Sequence, residues 1–333
     1  MGFSVSVLNN IRNNASQVYQ ERIPEATQQN ILEVGNALQQ YDLLYNEFFP
    51  ALFNKIGKTM IESKLFKNKL ARFKSGTILT QQDVEEIFIE MSKAEGSYDP
   101  TGPNPLGRRS GPDVVNIFHR QNRQDYYALT IGDLDVIRVF RSETTLDTFI
   151  TGLFNSVYSG AEYDEYLAMK NLLATYSASG EHDYCDYGVS PITDEASARK
   201  FVKTVRKASQ DMTFASRDYN DANVLTWTPV ENQVLFINKD VLAEVDVEVL
   251  AKAFNMGKTD IQVEIVVMDD FASLTNTYGI LCDKDFFRVW DTLSKMEPQR
   301  NAQGLFTNYF YHVHQILSLS PFKNAIRFTT DEA

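Results

Sequence analysis

The sequence predicts an α+β fold, and three features of its patterning support that class. Between residues 144 and 178, apolar side chains recur at helical spacing. Between residues 234 and 328, short runs rich in β-branched and aromatic residues alternate with turn residues, which is typical of strands. Residues 96–112 hold four of the ten prolines and four glycines, a density that excludes a regular helix or a central strand.

The N-terminal part is predicted to be a polar arm followed by helices. Residues 1–30 are rich in Asn, Gln and Ser, so we expect an extended or loosely helical arm that stays outside the core. Helical spacing of apolar residues begins at Ile31 and continues to Phe66, and Pro50 ends or starts a helix within it. Residues 31–79 are therefore expected to form an N-terminal helical segment.

Residues 80–142 are predicted to form an extended loop with strands at its base. Val114–His119 and Asp125–Ile131 have the composition of strands, whereas residues 84–94 fit either a strand or a helix. The segment rich in proline and glycine forms the tip between these extended arms. Because an isolated hairpin is only marginally stable in water, we expect the loop to lie on a neighbouring subunit.

Two helices are predicted after the loop, separated by a break at Ser159-Gly160. Ser159 and Glu162 have the spacing of a capping box, which places the second of these helices at about residues 160–178. Another amphipathic helix is predicted between Ser190 and Met212.

The remainder is predicted to alternate strands with one helix. The closing strand is apolar or aromatic on both faces, so we expect it to be buried on both. Asp283-Lys284-Asp285 is interpreted as a hairpin turn. The predicted elements are strand Val234–Ile237, helix Asp246–Phe254, strands Ile261–Met268, Gly279–Asp283 and Phe286–Trp290, the closing strand Phe306–Leu317 and a final strand Ala325–Phe328.

Composition excludes several classes of protein. The chain has 333 residues and a net charge of −12, and 43% of its residues are hydrophobic, so it is neither disordered nor built to grip nucleic acid through a basic surface. It has only Cys185 and Cys282, which cannot make a disulfide framework. No apolar run is long enough for a membrane span, and we expect no membrane association.

Few residues have the pattern of an active site. Gly57-Lys58-Thr59 and Gly257-Lys258-Thr259 lack the earlier glycine of a phosphate-binding loop. His312 and His314 share one strand face, but their apolar neighbours favour core or interface histidines over a metal site. The best carboxylate candidates, which turn chemistry explains more simply, are Asp269, Asp270, Asp283 and Asp285. They support one alternative function, that of a cation-dependent hydrolase.

Charge is distributed unevenly along the chain. Residues 51–75 contain seven basic residues and one acidic residue, whereas residues 240–291 contain eleven acidic and four basic residues. Patches of opposite sign on one chain can meet across a contact between subunits. Self-association is therefore expected to depend on salt.

Several sequence blocks, in their order, resemble the major capsid proteins of short-tailed bacteriophages with the Hong Kong 97-type capsid fold. Together the blocks extend over about residues 31–328. They are Asn36-Ala-Leu through Asn46-Glu-Phe-Phe, Asn54-Lys-Ile-Gly-Lys-Thr59, Val84-Glu-Glu-Ile-Phe88, Phe118-His-Arg through Tyr126-Tyr, Tyr163 to Leu173, Asp240 to Asn255, Ile280 to Trp290, and Asn308 to Phe328.

The resemblance implies a fold layout. Residues 1–30 would be the N-terminal arm, 31–79 the helical segment, 80–142 the extended loop and its base strands, 143–191 with 301–333 the peripheral domain with its spine helix, and 192–300 the axial domain. It also implies residues that contact other subunits. These are Tyr98, Asp99, Pro100, Arg108 and Arg109 in the loop, Lys55, Lys58 and Lys64 in the basic stretch, and Asp164 and Glu165 on the spine helix.

The implied function is a capsid subunit that assembles with copies of itself, in hexamers and pentamers, into an icosahedral shell around double-stranded DNA. Scaffolding and portal proteins are expected partners, the bacterial cytoplasm is the expected site of assembly, and neither a cofactor nor catalysis is expected. Besides the hydrolase, a second alternative is another virion protein, either a head-decoration or a tail-tube protein.

Overall fold

The structure, a computed structural model, contains helices and two main β-sheets. The residues that it describes are 3–39, 44, 47–48, 51, 66–78, 83–92, 111–132, 143–176, 182–245, 263–274 and 276–330. The helices are Phe3–Asn14 (α1), Gln17–Arg22 (α2), Ile31–Gln39 (α3), Glu143–Thr175 (α4), Glu195–Asp211 (α5) and Lys239–Glu244 (α6). The strands are Gly76–Thr77 (β1), Val84–Ile89 (β2), Val114–His119 (β3), Arg123–Gly132 (β4), Cys185–Gly188 (β5), Gln233–Asn238 (β6), Glu264–Met268 (β7), Thr277–Asp283 (β8), Phe287–Asn301 (β9), Phe306–Leu319 (β10) and Ala325–Thr329 (β11). None of the helices in the described ranges is long and apolar enough to cross a membrane.

The N-terminal residues lie in the core, so the expectation of an arm outside it is wrong for the described residues. Val5, Leu8 and Ile11 of α1 are spaced three residues apart and pack in one cluster with Val157 and Tyr309. These apolar residues form one helical face, and the Asn and Ser residues between them hide that face in the composition. The arm's expected contact with a neighbouring subunit stays a prediction.

Only part of the predicted helical segment, residues 31–79, is helical among the described residues. α3 lies within it, and residues 44, 47, 48 and 51 are helical too. Residues 66–78 instead contain a short 3-10 turn at Ala71–Phe73 and the strand β1, because this stretch pairs with β9.

α4 is one continuous helix of 33 residues, so the predicted break at Ser159-Gly160 and the capping box are wrong. A helix of this length spans about 50 Å. A glycine inside a helix costs only about 1 kcal/mol, and buried Val157 and Ala161 on either side of it supply packing that outweighs this cost. Glu162 accepts a hydrogen bond from the backbone N–H of Asn68 at 3.1 Å rather than capping its own helix.

One sheet has four strands in the order β1-β9-β10-β4, and α1 and α4 cover one of its faces. The central pair β9 and β10 is antiparallel over almost its whole length, with a bulge at His314/Gln315. The prediction that the closing strand is buried on both faces is correct only at residues 315–317. Elsewhere along β10, buried and partly exposed residues mostly alternate, because the helices pack on one face only.

The second sheet has five strands in the order β5-β11-β8-β6-β7 and lies between two helices. The C-terminal half of α4 packs on one face through Met169 and Leu173, and α5 packs on the other through Phe201 and Val205. α5 confirms the helix predicted within residues 190–212, although it begins only after Asp194, whose side chain accepts a hydrogen bond from the N–H of Ser197 at 2.8 Å.

The strand predictions in this part are largely confirmed, with one correction. β6, β7, β8 and β11 overlap the predicted strands, whereas the predicted helix Asp246–Phe254 lies outside the described residues. Asp283-Lys284-Asp285 is not a hairpin turn, because β8 and β9 belong to different sheets. The three residues connect the two sheets, and Asp283 Oδ1 accepts the N–H of Asp285 at 2.9 Å, as in an Asx turn.

Candidate subunit interface

The predicted extended loop begins and ends in a two-stranded antiparallel hairpin. β2 pairs with β3, from Val84 opposite His119 to Ile89 opposite Val114. This settles residues 84–89 as a strand, and β3 and β4 confirm the other two strands predicted here. The tip between the strands, residues 93–110, lies outside the described residues.

The two faces of the hairpin differ. The inner face carries Glu86 and Phe88, which are partly buried against the rest of the chain. The outer face is open and mostly apolar: Ile87 is 54%, Ile89 61% and Phe118 51% exposed, and the polar pair Glu85 and Asn116 on the same face is joined by a hydrogen bond. Exposed clusters of large apolar side chains in soluble proteins mark contact surfaces.

A buried polar cluster attaches the inner face to the four-stranded sheet. Arg288 of β9 donates to Glu86 Oε1 from Nη2 at 2.7 Å and from Nε at 3.1 Å, and Ser320 donates to the same oxygen at 2.9 Å. The other carboxylate oxygen lies 3.0 Å from Nε2 of His119, whose Nδ1 lies 2.8 Å from Ser318 Oγ. Every one of these groups therefore has a partner, as polar groups at low exposure require.

The electrostatics of this cluster favour the ionised carboxylate. Burial alone would raise the pKa of Glu86, but hydrogen bonds from His119, Arg288 and Ser320 outweigh it and lower the pKa to about 2. The carboxylate thus stays charged across the physiological range and holds the hairpin base in place.

A second set of contacts supports the hairpin further toward its tip. The rings of Phe88 and Phe322 stack with their centroids 5.7 Å apart. Arg217 Nη2 donates to Glu90 Oε2 at 2.7 Å. The inner face is therefore fixed at three successive positions, and the outer face is left open.

Only two of the predicted contact residues lie in the described part of the chain. The other eight lie outside the described residues: Tyr98, Asp99, Pro100, Arg108, Arg109, Lys55, Lys58 and Lys64. Asp164 is exposed on α4 and accepts a hydrogen bond from the Tyr127 hydroxyl at 2.8 Å. Its contact with another subunit stays a prediction.

Glu165 is 6% exposed and lies inside a polar network within the chain. It accepts hydrogen bonds from Asn68 Nδ2 at 2.7 Å, from Lys74 Nζ at 2.9 Å and from Gln315 Nε2. Lys74 also pairs with Asp291 at 2.7 Å. Burial alone would lower the pKa of Lys74, but Glu165 and Asp291 outweigh it and raise the pKa, so the ammonium is retained.

The carboxylates of the hydrolase alternative are engaged in structural contacts. Lys170 lies 3.1 Å from Asp269 and 2.9 Å from Asp270, and the Tyr166 hydroxyl donates to Asp269 at 2.6 Å. Burial alone would raise the pKa of Asp269, but Tyr166 and Lys170 outweigh it and lower the pKa. One ammonium thus neutralises much of this pair's charge.

The second carboxylate pair is divided between two environments. Asp283 is buried and accepts a hydrogen bond from the Thr228 hydroxyl at 3.1 Å, whereas the Asp285 side chain is 71% exposed. Within the described ranges, no group of three or more His, Cys, Asp or Glu side chains is arranged to hold a metal ion. Nothing in this geometry supports the hydrolase.

The histidines and thiols have structural surroundings. The rings of His312 and His314 are 6.3 Å apart and perpendicular, on the partly exposed face of β10. Burial raises the pKa of both thiols, and for Cys185 the carboxylates of Asp186 and Asp218 add to this effect. A raised pKa disfavours the thiolate that a nucleophile needs.

Comparison with known proteins decides the family. Residues 8–329 match the model of the Phi29-like phage major capsid protein family. The chain belongs to this family. Its resemblance to short-tailed phage capsid proteins is thereby confirmed, and its place is in the virion.

Relatives and solved structures agree with this assignment. The chain is 38% identical over 332 residues to the major capsid protein of Bacillus phage B103, covering 99% of this chain and 73% of the relative. It is 29% identical over 349 residues to the major capsid protein of Streptococcus phage Cp-1, covering 99% of this chain and 95% of the relative. A chain in the capsid structure of Staphylococcus phage Andhra superimposes with a TM-score of 0.66 at 13% identity, over 81% of this chain and 86% of that one. A chain in the structure of the bacteriophage PhiM1 mature capsid superimposes with a TM-score of 0.53 at 9% identity, over 81% of this chain and 90% of that one. The Hong Kong 97-type capsid fold is therefore confirmed.

Sequence reasoning missed the polar cluster at the base of the hairpin in this Phi29-like chain. The sequence around His119 and His182 indicates no partner for either, yet His119 contacts Glu86 and Ser318, and His182 lies 2.6 Å from Asp221. The alternation of Glu86 and Phe88 with Ile87 and Ile89 indicates two different faces. It does not indicate which distant residues the inner face meets.

Proposed function

We propose that this Phi29-like chain builds an icosahedral phage shell by repeated contacts with copies of itself in hexamers and pentamers, without catalysis. The apolar outer face of the hairpin, on Ile87, Ile89, Val114 and Phe118, carries this proposal. Val114 is 58% exposed, and the other three are more than half exposed as well. A hairpin with such a face gains stability only when another surface covers it.

A second copy of the chain is the proposed cover. A shell places many identical surfaces side by side, and contacts between unlike patches of the same protein close into rings. Because the inner face is fixed to its own chain, the outer face is the one available to a neighbour. The predicted contact residues are proposed to extend this contact. They are Tyr98, Asp99, Pro100, Arg108 and Arg109 in the loop, Lys55, Lys58 and Lys64 in the basic stretch, and Asp164 on α4.

The shell is proposed to enclose double-stranded DNA without gripping it. The net charge of −12 supports this, because an acidic wall does not hold phosphate backbones tightly. Assembly is proposed to take place in the bacterial cytoplasm, with scaffolding and portal proteins as partners.

The test combines two substitutions in the open face, Ile87→Ser and Ile89→Ser. We expect the double variant to keep its helical and sheet content by circular dichroism but to lose shells in electron micrographs and to sediment as small species. A matched control is Val267→Ser on β7, which removes an apolar side chain that is 39% exposed in the five-stranded sheet. Normal shells from the double variant would contradict the role of the hairpin, and a monomeric parent protein would contradict shell formation itself.

A further inference from the structure

One face of α5 carries several basic side chains. The helix carries five basic and two acidic side chains. Lys203 and Lys207 are exposed, Arg206 is partly exposed, and no carboxylate of the described residues lies within 4 Å of any of the three. Lys200, one turn earlier, donates to Ser190 Oγ at 3.2 Å.

The spacing of these residues makes a stripe. Lys200, Lys203 and Lys207 lie three and four positions apart, so they follow one side of the helix over about 10 Å. The opposite side is buried through Phe201 and Val205 against the five-stranded sheet. The stripe therefore points away from its own domain, in a chain that is acidic overall.

The edge of the same sheet is acidic. β5 is the edge strand, and around it lie Asp183, Asp186, Asp218 and Asp221, which we call the acidic rim. The backbone N–H of Asp183 donates to Asp221 Oδ1 at 2.9 Å, and the carboxylates of Asp186 and Asp218 both raise the pKa of the Cys185 thiol. Asp183 and Asp218 are exposed.

Partners within the chain offset only part of the rim's charge. Arg327 forms a bidentate ion pair with Asp186, and His182 pairs with Asp221. Among the described residues, the donor to the Asp218 carboxylate is a neutral hydroxyl, that of Ser216, at 2.7 Å. The four carboxylates of the rim thus face one permanently charged partner among these contacts, Arg327.

We propose that the basic stripe of α5 in one copy docks on the acidic rim of β5 in the next copy. The proposal rests on the proposed assembly into shells and names a second contact in it, separate from the hairpin. The stripe lies on a face of the domain and the rim on its edge, so the contact joins unlike surfaces, which can close into a ring. Oppositely charged patches at such a contact fix its register and penalise wrong partners.

Reversal of charge tests this contact. In Lys203→Glu/Lys207→Glu the stripe becomes acidic and repels the rim, and we expect the critical concentration for assembly to rise by about tenfold or more at low salt. The matched control is Lys239→Glu/Lys295→Glu, which makes the same charge change at exposed lysines outside both the stripe and the basic stretch 51–75 and should assemble as the parent does. Circular dichroism and a thermal melt establish that each variant is folded.

Compensation identifies the partner. Asp183→Lys/Asp218→Lys should also impair assembly, and a chain with all four changes should assemble again, because every copy then offers an acidic stripe to a basic rim. Normal assembly of the stripe variant would overturn the proposal. The proposal would also be overturned if both double variants are folded and impaired but the fourfold variant does not assemble. That result would assign the stripe to DNA or another acidic partner. Failure of the parent protein to form shells would instead overturn the proposed function.

Discussion

Replacement of Glu86 by Gln removes the charge at the centre of the hairpin attachment while keeping its shape. The pKa of Glu86 is lowered from 4.5 to about 2, which corresponds to about 3 kcal/mol at about 1.4 kcal/mol for each tenfold change. The side chain is 15% exposed, so solvent screens the charge only slightly. We therefore expect Glu86→Gln to weaken the attachment by about 2–3 kcal/mol, because Arg288 loses its charged partner.

The direction of the pH dependence follows from the lowered pKa. A carboxylate whose pKa is depressed in the folded state stabilises that state above its unfolded pKa and loses this effect as the pH falls through the folded pKa. The parent protein should therefore hold the full advantage over Glu86→Gln at pH 7. That advantage should shrink between about pH 4.5 and pH 2, since protonated Glu86 then resembles Gln.

Hydrogen exchange measured by mass spectrometry reads the attachment directly, because a hairpin can open without unfolding the rest of the chain. At pH 7 the amides of β2 and β3 in Glu86→Gln should exchange about 30- to 150-fold faster than in the parent, the factor equivalent to 2–3 kcal/mol. Glu85→Gln is the control, since Glu85 is an exposed neighbour on the other face with a hydrogen bond from Asn116. Equal exchange in the two variants would refute the reasoning.

Two further predictions concern the core and the backbone. Phe201→Ala should lower the free energy of unfolding by about 3–5 kcal/mol in urea titrations, because the ring is 2% exposed and meets the rings of Tyr278 and Phe328 edge-on. Gly279→Ala should lower the melting temperature, because its Cβ would lie 2.8 Å from the carbonyl oxygen of Phe236, whereas Gly152→Ala, with open space on a helix, should raise the free energy of unfolding by about 0.5–1 kcal/mol. A melting temperature that Gly279→Ala leaves unchanged, or an undiminished stability of Phe201→Ala, would show that the sheet relaxes around these positions more easily than its packing indicates.

Local patterns predicted those elements whose packing follows from their own sequence. The β-branched and aromatic composition of β3 and β4, the apolar run of β6 and the amphipathic stripe of α5 each predict their own element, and the structure has these elements within a few residues of the predicted bounds. Predictions were wrong where packing against a distant part of the chain decides the secondary structure. Ser159-Gly160 has the local pattern of a helix break, yet α4 continues because both sides of the break are buried.

The sequence predicts where along the chain the candidate interface lies, but it does not predict which distant residues its side chains contact. The density of proline and glycine in residues 96–112 indicates a projecting loop, and a hairpin does form its base. The partners of Glu86 lie about 200 positions away in Arg288 and more than 230 away in Ser320, and no local pattern encodes such a contact. The same holds for Glu165, which the sequence places on a helix and the structure places in a buried network.

By itself, the sequence determined the α+β class, the family resemblance in the order of its blocks, and the acidic charge of the chain, because these depend on composition and short-range periodicity. Only the tertiary structure decided that α1 belongs to the core, that the hairpin has one attached and one open face, and that a basic stripe lies over one face of a sheet whose edge carries an acidic rim. Each of these depends on which distant segments pack together. That choice is made by the burial of apolar faces and the pairing of buried charges, which a linear pattern does not contain.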